Sequence, residues 1–401
     1  MGNLTSNEQA AVERATATAM MARVEAWSLI NSGSRHLVGL ADVAALLADA
    51  FAVLPGEVSL REAAPVEAVD AEGRTYDIEH GRNLHLTVRP DAPVQLLLTG
   101  HMDTVFAADH AFQSLTWLEQ GVLGGPGVAD MKGGIAVMLA ALEAVEQSPI
   151  AARFGYEVVI NSDEEVGSPG SAALIAGAAR GKRAALTFEP AALPDGTLAG
   201  ARPGSGNFSF VISGKSAHAG RNPEDGRNAV VAAADLALRL AKAEGPQLSV
   251  NVAKVDGGGP NNVVPDHAVL RVNLRPATLE VQALAQALID AAVTMVAAEH
   301  QVAIHAHGGF GRPPKPMDAN AEILFGLVRQ AGVDLGQAIR WQPSGGVCDG
   351  NNIAACGVPV IDTMGVRGGK IHSMEEYLII ASLAERAALS AVTLLRLAEG
   401  A

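Results

Sequence analysis

Residues 95–103 read Gln-Leu-Leu-Leu-Thr-Gly-His-Met-Asp, and this stretch decides how the chain is read. A short apolar run that stops at a glycine has the length and bounding of a buried strand. An imidazole (His101) and a carboxylate (Asp103) follow it directly, and neither tolerates burial without a partner. The pattern returns downstream. Residues 156–160 are apolar and precede Asp163, Glu164 and Glu165, while residues 184–188 precede Glu189. Between the first two runs, Ile135, Met138, Leu139, Leu142 and Val145 fall at helical spacing. Residues 171–180 predict another helix. Strands alternating with helices define an α/β chain with a mostly parallel sheet flanked by helices.

Upstream, residues 6–30 and 38–52 predict helices, with short strand-like runs near 57–62, 74–79 and 84–89. The character changes near residue 200. Strand 207–213, helix 229–243, strands 248–254 and 267–274, helix 279–299 and strand 302–307 give a βαββαβ order. That is a small two-layer, ferredoxin-like α/β unit. The Pro/Gly-rich segment 308–316 closes it. Helix 321–330, strand 358–363 and helices within 375–398 follow, with Glu375 and Glu376 opening the last helices where negative charge suits the dipole. The expectation is a discontinuous catalytic domain, 1–201 and 316–401, interrupted by an inserted dimerisation or lid domain, 202–315. Residues 204–206 and 308–316 then form paired hinges.

The 401 residues carry 43 acidic against 29 basic side chains, a formal charge of −14. That balance argues against nucleic acid, which needs a basic face, but leaves room for an arginine to grip a small anion. Two cysteines, Cys348 and Cys356, are too few for a disulfide framework. The first thirty residues lack the apolar core of a secretory leader, and no apolar run reaches membrane-spanning length. The chain is expected to be cytoplasmic, with no membrane partner.

Ligands in open α/β sheets bind at the carboxyl ends of strands. Asp130 lies in a Gly-rich loop before a helix, and His372 lies beyond strand 358–363. Singly, each candidate has an ordinary explanation: Asp130 as a helix N-cap, Glu164-Glu165 as a solvated turn. Together, five strand or loop ends deliver imidazoles and carboxylates to one rim. Zinc takes these ligands and leaves a position open for water. Two histidines and three carboxylates hold two ions if one carboxylate bridges, and a metal pair can polarise a carbonyl. A further carboxylate must act as general base. In Glu164-Glu165 one side chain can bind metal while its neighbour faces the water. Asp103 can hold the imidazole of His101 from behind.

The runs Gly-His101-Met-Asp103-Thr-Val, Gly-Val-Ala-Asp130-Met-Lys-Gly-Gly, Asn-Ser-Asp-Glu164-Glu165-Val-Gly-Ser, Phe-Glu189-Pro, Gly-Lys-Ser-Ala-His218-Ala-Gly and His372-Ser resemble, in order, the zinc-dependent family of glutamate carboxypeptidase, acetylornithine deacetylase and succinyl-diaminopimelate desuccinylase. The likeness is strongest to the glutamate carboxypeptidase branch. It implies two Zn2+ per subunit, with Co2+ or Mn2+ suited to the same ligands. Asp130 would bridge, His101 and Glu189 would complete one ion, Glu165 and His372 the other. Glu164 would be the general base. His218 would reach the partner's site in a homodimer and stabilise the oxyanion. Asn262, Arg275 and Arg312 would hold the substrate or its carboxylate, a task arginine suits.

The resemblance also implies a cis bond between Asp130 and Met131. It points to cleavage of an amide next to a free carboxylate, in a peptide or N-acyl amino acid. An aminopeptidase or dipeptidase of the same superfamily, or a silent binding protein on the same fold, are the rivals. Val347 and Cys348 depart from the family pattern on the substrate side of the cleft. Arg367 and Lys370 are expected to help choose an acidic substrate.

Overall fold

The computed structural model describes residues 3–400. A six-stranded sheet forms the first layer. Its central strands Phe154–Asn161, Val94–His101, Ala184–Thr187 and Val360–Ile361 run parallel, and Asn83–Val88 and Glu57–Arg61 extend one edge antiparallel. The parallel strands are apolar on both faces, as helices on both sides require. The helix Gly133–Glu146 shows the cause: Ile135, Met138, Leu139, Leu142 and Val145 are wholly buried between the sheet and the helices Ser6–Ala17 and Ala381–Glu399. Each such side chain contributes about 1.5–3 kcal/mol.

The expected helix 6–30 is two helices, Ser6–Ala17 and Met20–Ser28, because the chain is extended at Thr18. The last helix opens at Ala381, not at Glu375 and Glu376. Glu376 serves elsewhere, as described below.

The chain leaves the first layer after Leu198–Ala199 and forms a second sheet in the order Leu248–Gly257, His267–Pro276, Ser205–Ser213, Ala303–Arg312, antiparallel throughout. This is the ferredoxin-like order read from the sequence. The strand Ala303–Arg312 runs five residues longer than the expected 302–307. Gly308, Gly309 and Gly311 are therefore strand, not hinge, and Gly206 is paired too, beside a register shift at Ser205.

The crossing lies at Arg202 and Lys315, which pair backbone to backbone. Both side chains converge on buried Asp362, at 2.7 Å from Arg202 Nε and 3.0 Å from Lys315 Nζ. Burial alone would raise the Asp362 carboxyl, but the two cations hold it below its usual range.

Phe208, Phe210 and Ile212 face the helices Ala229–Ala241 and Leu279–His300. The longer helix is apolar enough by composition to cross a membrane, at a mean hydropathy of 1.6, against the sequence reading. It lies instead along the inserted sheet and buries Ala285, Ile289, Ala292 and Val296 there. On the opposite face, a hairpin of the first domain, Val66–Val69 with Thr75–Ile78, packs Val69 against Val211 and Val269. Its turn needs Gly73: φ is +74° and a Cβ would stand 2.6 Å from Val211.

Candidate active site

His101 closes the strand Val94–His101 directly opposite Asn161, so parallel pairing brings the two strand ends to one rim. His101 Nδ1 is 3.0 Å from the backbone oxygen of Asp103. Donation to that carbonyl fixes the tautomer and leaves the Nε2 lone pair facing inward. Nε2 is 3.1 Å from Asp130 Oδ1 and 3.6 Å from Glu189 Oε2. The other oxygen, Asp130 Oδ2, is 3.3 Å from His372 Nε2, which is itself 3.1 Å from Glu165 Oε2. The five ligands read from the sequence therefore form two groups joined by Asp130. Ligand atoms of His101, Asp130 and Glu165, and separately of His101, Glu164 and Glu189, lie within 4.8 Å of one another.

Asp130 is not a helix cap. It sits in an irregular turn, Val128–Lys132, with non-helical backbone and a cis bond to Met131. The carboxylate of Glu376 accepts from the backbone amides of Gly127, Ala129 and Asp130, at 3.2, 3.0 and 3.1 Å. This residue went unread in the sequence: an acidic pair just before a helix has the local signature of a dipole partner, and only tertiary pairing reveals another task. The pairing comes from a small antiparallel sheet of Thr116–Glu119, Val122–Gly124, Gly368–Gly369 and Tyr377–Ile379. Tyr377 stands opposite Gly124 and Gly369 opposite Tyr377, which ties the His372 loop to the Asp130 loop. Lys370 and His372 both adopt left-handed backbone, at φ +57° and +61°, a strain such loops keep when their surroundings over-determine them.

Asp103 accepts from the amides of Glu164 and Glu165, both at 3.1 Å, and from Ser34 Oγ at 2.7 Å. Its carboxylate is 3.4 Å from His101 Nδ1. It therefore fixes the Glu164–Glu165 turn as much as the imidazole. Burial pushes the Glu164 carboxyl well above its usual range, against the pull of Arg312. Burial likewise raises Glu165 to about 7 and lifts Glu189. Burial opposes the charge of His101, but Glu189, Asp103 and Asp130 outweigh it. Hydrogen bonds to Asp130 and Glu165 raise His372 to about 11.

Arg312 corrects an expectation. Its Nη2 bonds the Glu164 carbonyl at 3.0 Å and Ser168 Oγ at 2.9 Å, and lies 2.7 Å from Glu164 Oε1. No N–H points straight at Oε1, so this last contact is an ion pair rather than an aligned hydrogen bond. Arg312 is committed to the protein's own acid and not held out toward a substrate carboxylate.

Arg275 lines the cleft and bonds Gly345 O at 3.0 Å. Lys370, Val347 and Cys348 also line it, but Arg367 turns away to Glu385, at 3.0 Å, and does not reach the substrate side. His218 and Asn262 lie together on the inserted domain, joined by an Ala219 N–H to Asn262 O bond of 2.9 Å. Both are exposed, and neither lines the cleft of its own chain among the described residues.

A rim of two imidazoles, buried carboxylates and a poised acid on an α/β sheet defines a metal-dependent hydrolase. The chain belongs to Peptidase family M20/M25/M40, whose model matches residues 97–396. It is 32% identical over 335 residues to carboxypeptidase G2 of Pseudomonas sp. strain RS-16, covering 80% of this chain and 78% of that one. It is 27% identical over 331 residues to succinyl-diaminopimelate desuccinylase of Pseudomonas syringae pv. syringae, covering 77% and 83%. In fold it is similar to aminopeptidase PepT from Bacillus cereus, with a TM-score of 0.71, 23% identity, and 96% and 99% of the two chains covered. A Bacillus subtilis protein described as a dinuclear metal binding peptidase from the M20 family superposes with a TM-score of 0.66 at 15% identity, covering 96% and 99%.

Proposed function

We propose that the chain is a two-zinc hydrolase that cleaves an amide bond next to a free carboxylate, as a glutamate carboxypeptidase-like exopeptidase or an N-acyl-amino-acid deacylase. The observation that carries this reading is Asp130, whose two oxygens each face a different histidine. The donor set suits zinc, with imidazole nitrogen and carboxylate oxygen in each half. The buried Glu164 Oε1 lacks a hydrogen-bond partner and sits beside one of these groups. His101 and Glu189 would hold one ion, Glu165 and His372 the other, with Asp130 common to both. The metal pair supplies Lewis acidity to the scissile carbonyl and to the attacking water.

Glu164 takes the proton from the water and returns it to the departing nitrogen, a task helped by a carboxyl whose burial raises its affinity for protons. Arg312 orients that carboxyl. Asp103 and Glu376 hold the two turns in place. Arg275 is the cation that meets the substrate's carboxylate, with Lys370 at the mouth.

His218 and Asn262 serve the partner's site in a homodimer. Their exposure away from their own cleft supports this, as do Val231, Leu238, Leu284 and Met295, exposed on the helices of the inserted domain. The enzyme acts in the cytoplasm. The names of the two curated relatives, a carboxypeptidase and a desuccinylase, favour release of a carboxylate-bearing product over aminopeptidase action.

The test is a hydrolysis screen over N-acyl amino acids and over dipeptides blocked at either end, with zinc supplied. Turnover of amine-blocked and not carboxyl-blocked substrates, abolished by a chelator, is expected. The reverse preference would make the chain an aminopeptidase, and no turnover at all a binding protein.

A further inference from the structure

Three asparagines stand side by side across the inserted sheet. Asn207 is directly opposite Asn273, which is directly opposite Asn251. All three line the cleft. The neighbouring strand adds no bulk, because Asn207 faces Gly309 on its other side. That strand ends at Arg312, against Glu164, so the row leads away from the reacting end of the cleft.

The bonds within the row are asymmetric. Asn273 Nδ2 donates to Asn207 Oδ1 at 2.8 Å, and Asn273 Oδ1 accepts from Arg275 Nε at 3.1 Å. Asn273 is thus consumed as a spacer. Nδ2 of Asn207 and the whole carboxamide of Asn251 have no partner among the described residues. They offer donors and an acceptor with no net charge.

The cleft itself holds about 1490 Å³, above the ~300–1,000 Å³ of most small-molecule sites. Strands in a sheet are about 4.8 Å apart. The row from Asn207 to Asn251 therefore covers roughly 10 Å, the rise of about three extended residues. Uncharged carboxamides spaced along such a length match the alternating N–H and C=O groups of a peptide backbone. They have nothing to offer an alkyl chain and no charge for an anion.

We propose that the acyl side of the substrate is itself a peptide, two to three residues long, gripped through its backbone amides by Asn207 and Asn251. The inference rests on the amide-hydrolase reading above and names the substrate class for that site. Specificity on this side then comes from substrate length and amide content more than from side-chain identity.

The experiment measures kcat/KM for N-acetyl-glutamate, for its N-acetyl-alanyl and N-acetyl-alanyl-alanyl extensions, and for amide-free N-octanoyl-glutamate. A parallel series ending in leucine keeps the choice of released residue from deciding the result. The zinc-loaded enzyme should favour the longest peptide over the acetyl compound by about tenfold or more, at one to two hydrogen bonds gained, with the octanoyl compound no better than acetyl. In the Asn207→Ala/Asn251→Ala double variant that ratio should fall to about threefold or less.

A flat series, an octanoyl compound equal to the longest peptide, or an equal loss on every substrate in the variant would overturn the proposal. A wild-type enzyme that hydrolyses none of the compounds would overturn the amide-hydrolase reading itself, and the failure of even the shortest members marks that case.

Discussion

Arg312 Nη2 lies 2.7 Å from Oε1 of Glu164. The last residue of an inserted strand thus meets the acid at the rim of the main sheet, 148 residues away in sequence. Arg312 lowers the proton affinity of Glu164 while burial raises it. In Arg312→Met only the raising influence remains. The acid limb of the kcat/KM profile should shift to higher pH, with kcat lowered and KM little changed. A rise confined to KM, with the limb in place, would return Arg312 to the substrate's carboxylate. Glu164→Gln should lose about 10²–10⁴ in kcat with its metal content retained.

Glu376 tests whether the Asp130 turn must be held. Glu376→Gln removes the charge that three backbone amides share. Metal affinity should fall about 10–100-fold, as for other supporting groups around metals. Competition with a chelating dye measures it, and unchanged affinity would show the turn to be self-supporting.

The metal-free protein should lose stability as pH rises. Burial raises the carboxyls of Glu165 and Glu376 to about 7 from the ordinary 4.5. A group raised on folding contributes stability that is present below its unfolded value and lost as pH climbs through the folded one. The window is therefore about pH 4.5 to 7, and His372, raised from 6.5 to about 11, extends the same slope upward. Melting of chelated protein at pH 5 and 7.5 should give the lower Tm at 7.5. Zinc-loaded protein should not show that order, because the metals favour the ionised carboxylates.

Asp362 binds two buried cations at the crossing between the layers. Asp362→Asn leaves both uncompensated and should cost about 3–5 kcal/mol, the usual penalty for breaking a buried pair. Urea denaturation reads it directly. A cost below about 1 kcal/mol would mean that solvent reaches the pair.

His218 is tested by complementation. Homodimers of His218→Ala and of Glu164→Ala should each be nearly inactive. In a verified heterodimer one site regains both groups, so activity should recover to between a quarter and a half of the wild-type level, a fraction fixed by counting intact sites. No recovery would place His218 outside the shared chemistry.

Much of the site was legible because it lies at strand ends. A parallel sheet delivers whatever follows its strands to one rim, so His101, Glu164, Glu165 and Glu189 could be placed from apolar runs alone. Local patterns failed where a residue's partner is remote. Glu376 reads as a helix opener until the sheet Val122–Gly124 with Tyr377–Ile379 brings it under the Asp130 loop. Residues 308–312 read as a hinge because glycine is common in turns, whereas here pairing with Ser205–Ser213 keeps them extended. Arg312 and Arg367 read as equivalent free charges, and only the fold gives each its own carboxylate.

The hairpin Val66–Val69 with Thr75–Ile78 belongs by sequence to the first domain, yet it grips the far side of the inserted sheet. Arg271 Nη2 donates to the carbonyls of Val69 and Asp70, at 3.0 and 3.1 Å, and His267 Nε2 is 3.2 Å from Ala71 O. Any swing of that sheet must carry the hairpin along or strip it off. The body that travels is therefore larger than the segment that was inserted, and the two short connections flanking residues 66–78 become a third place where the polypeptide has to bend.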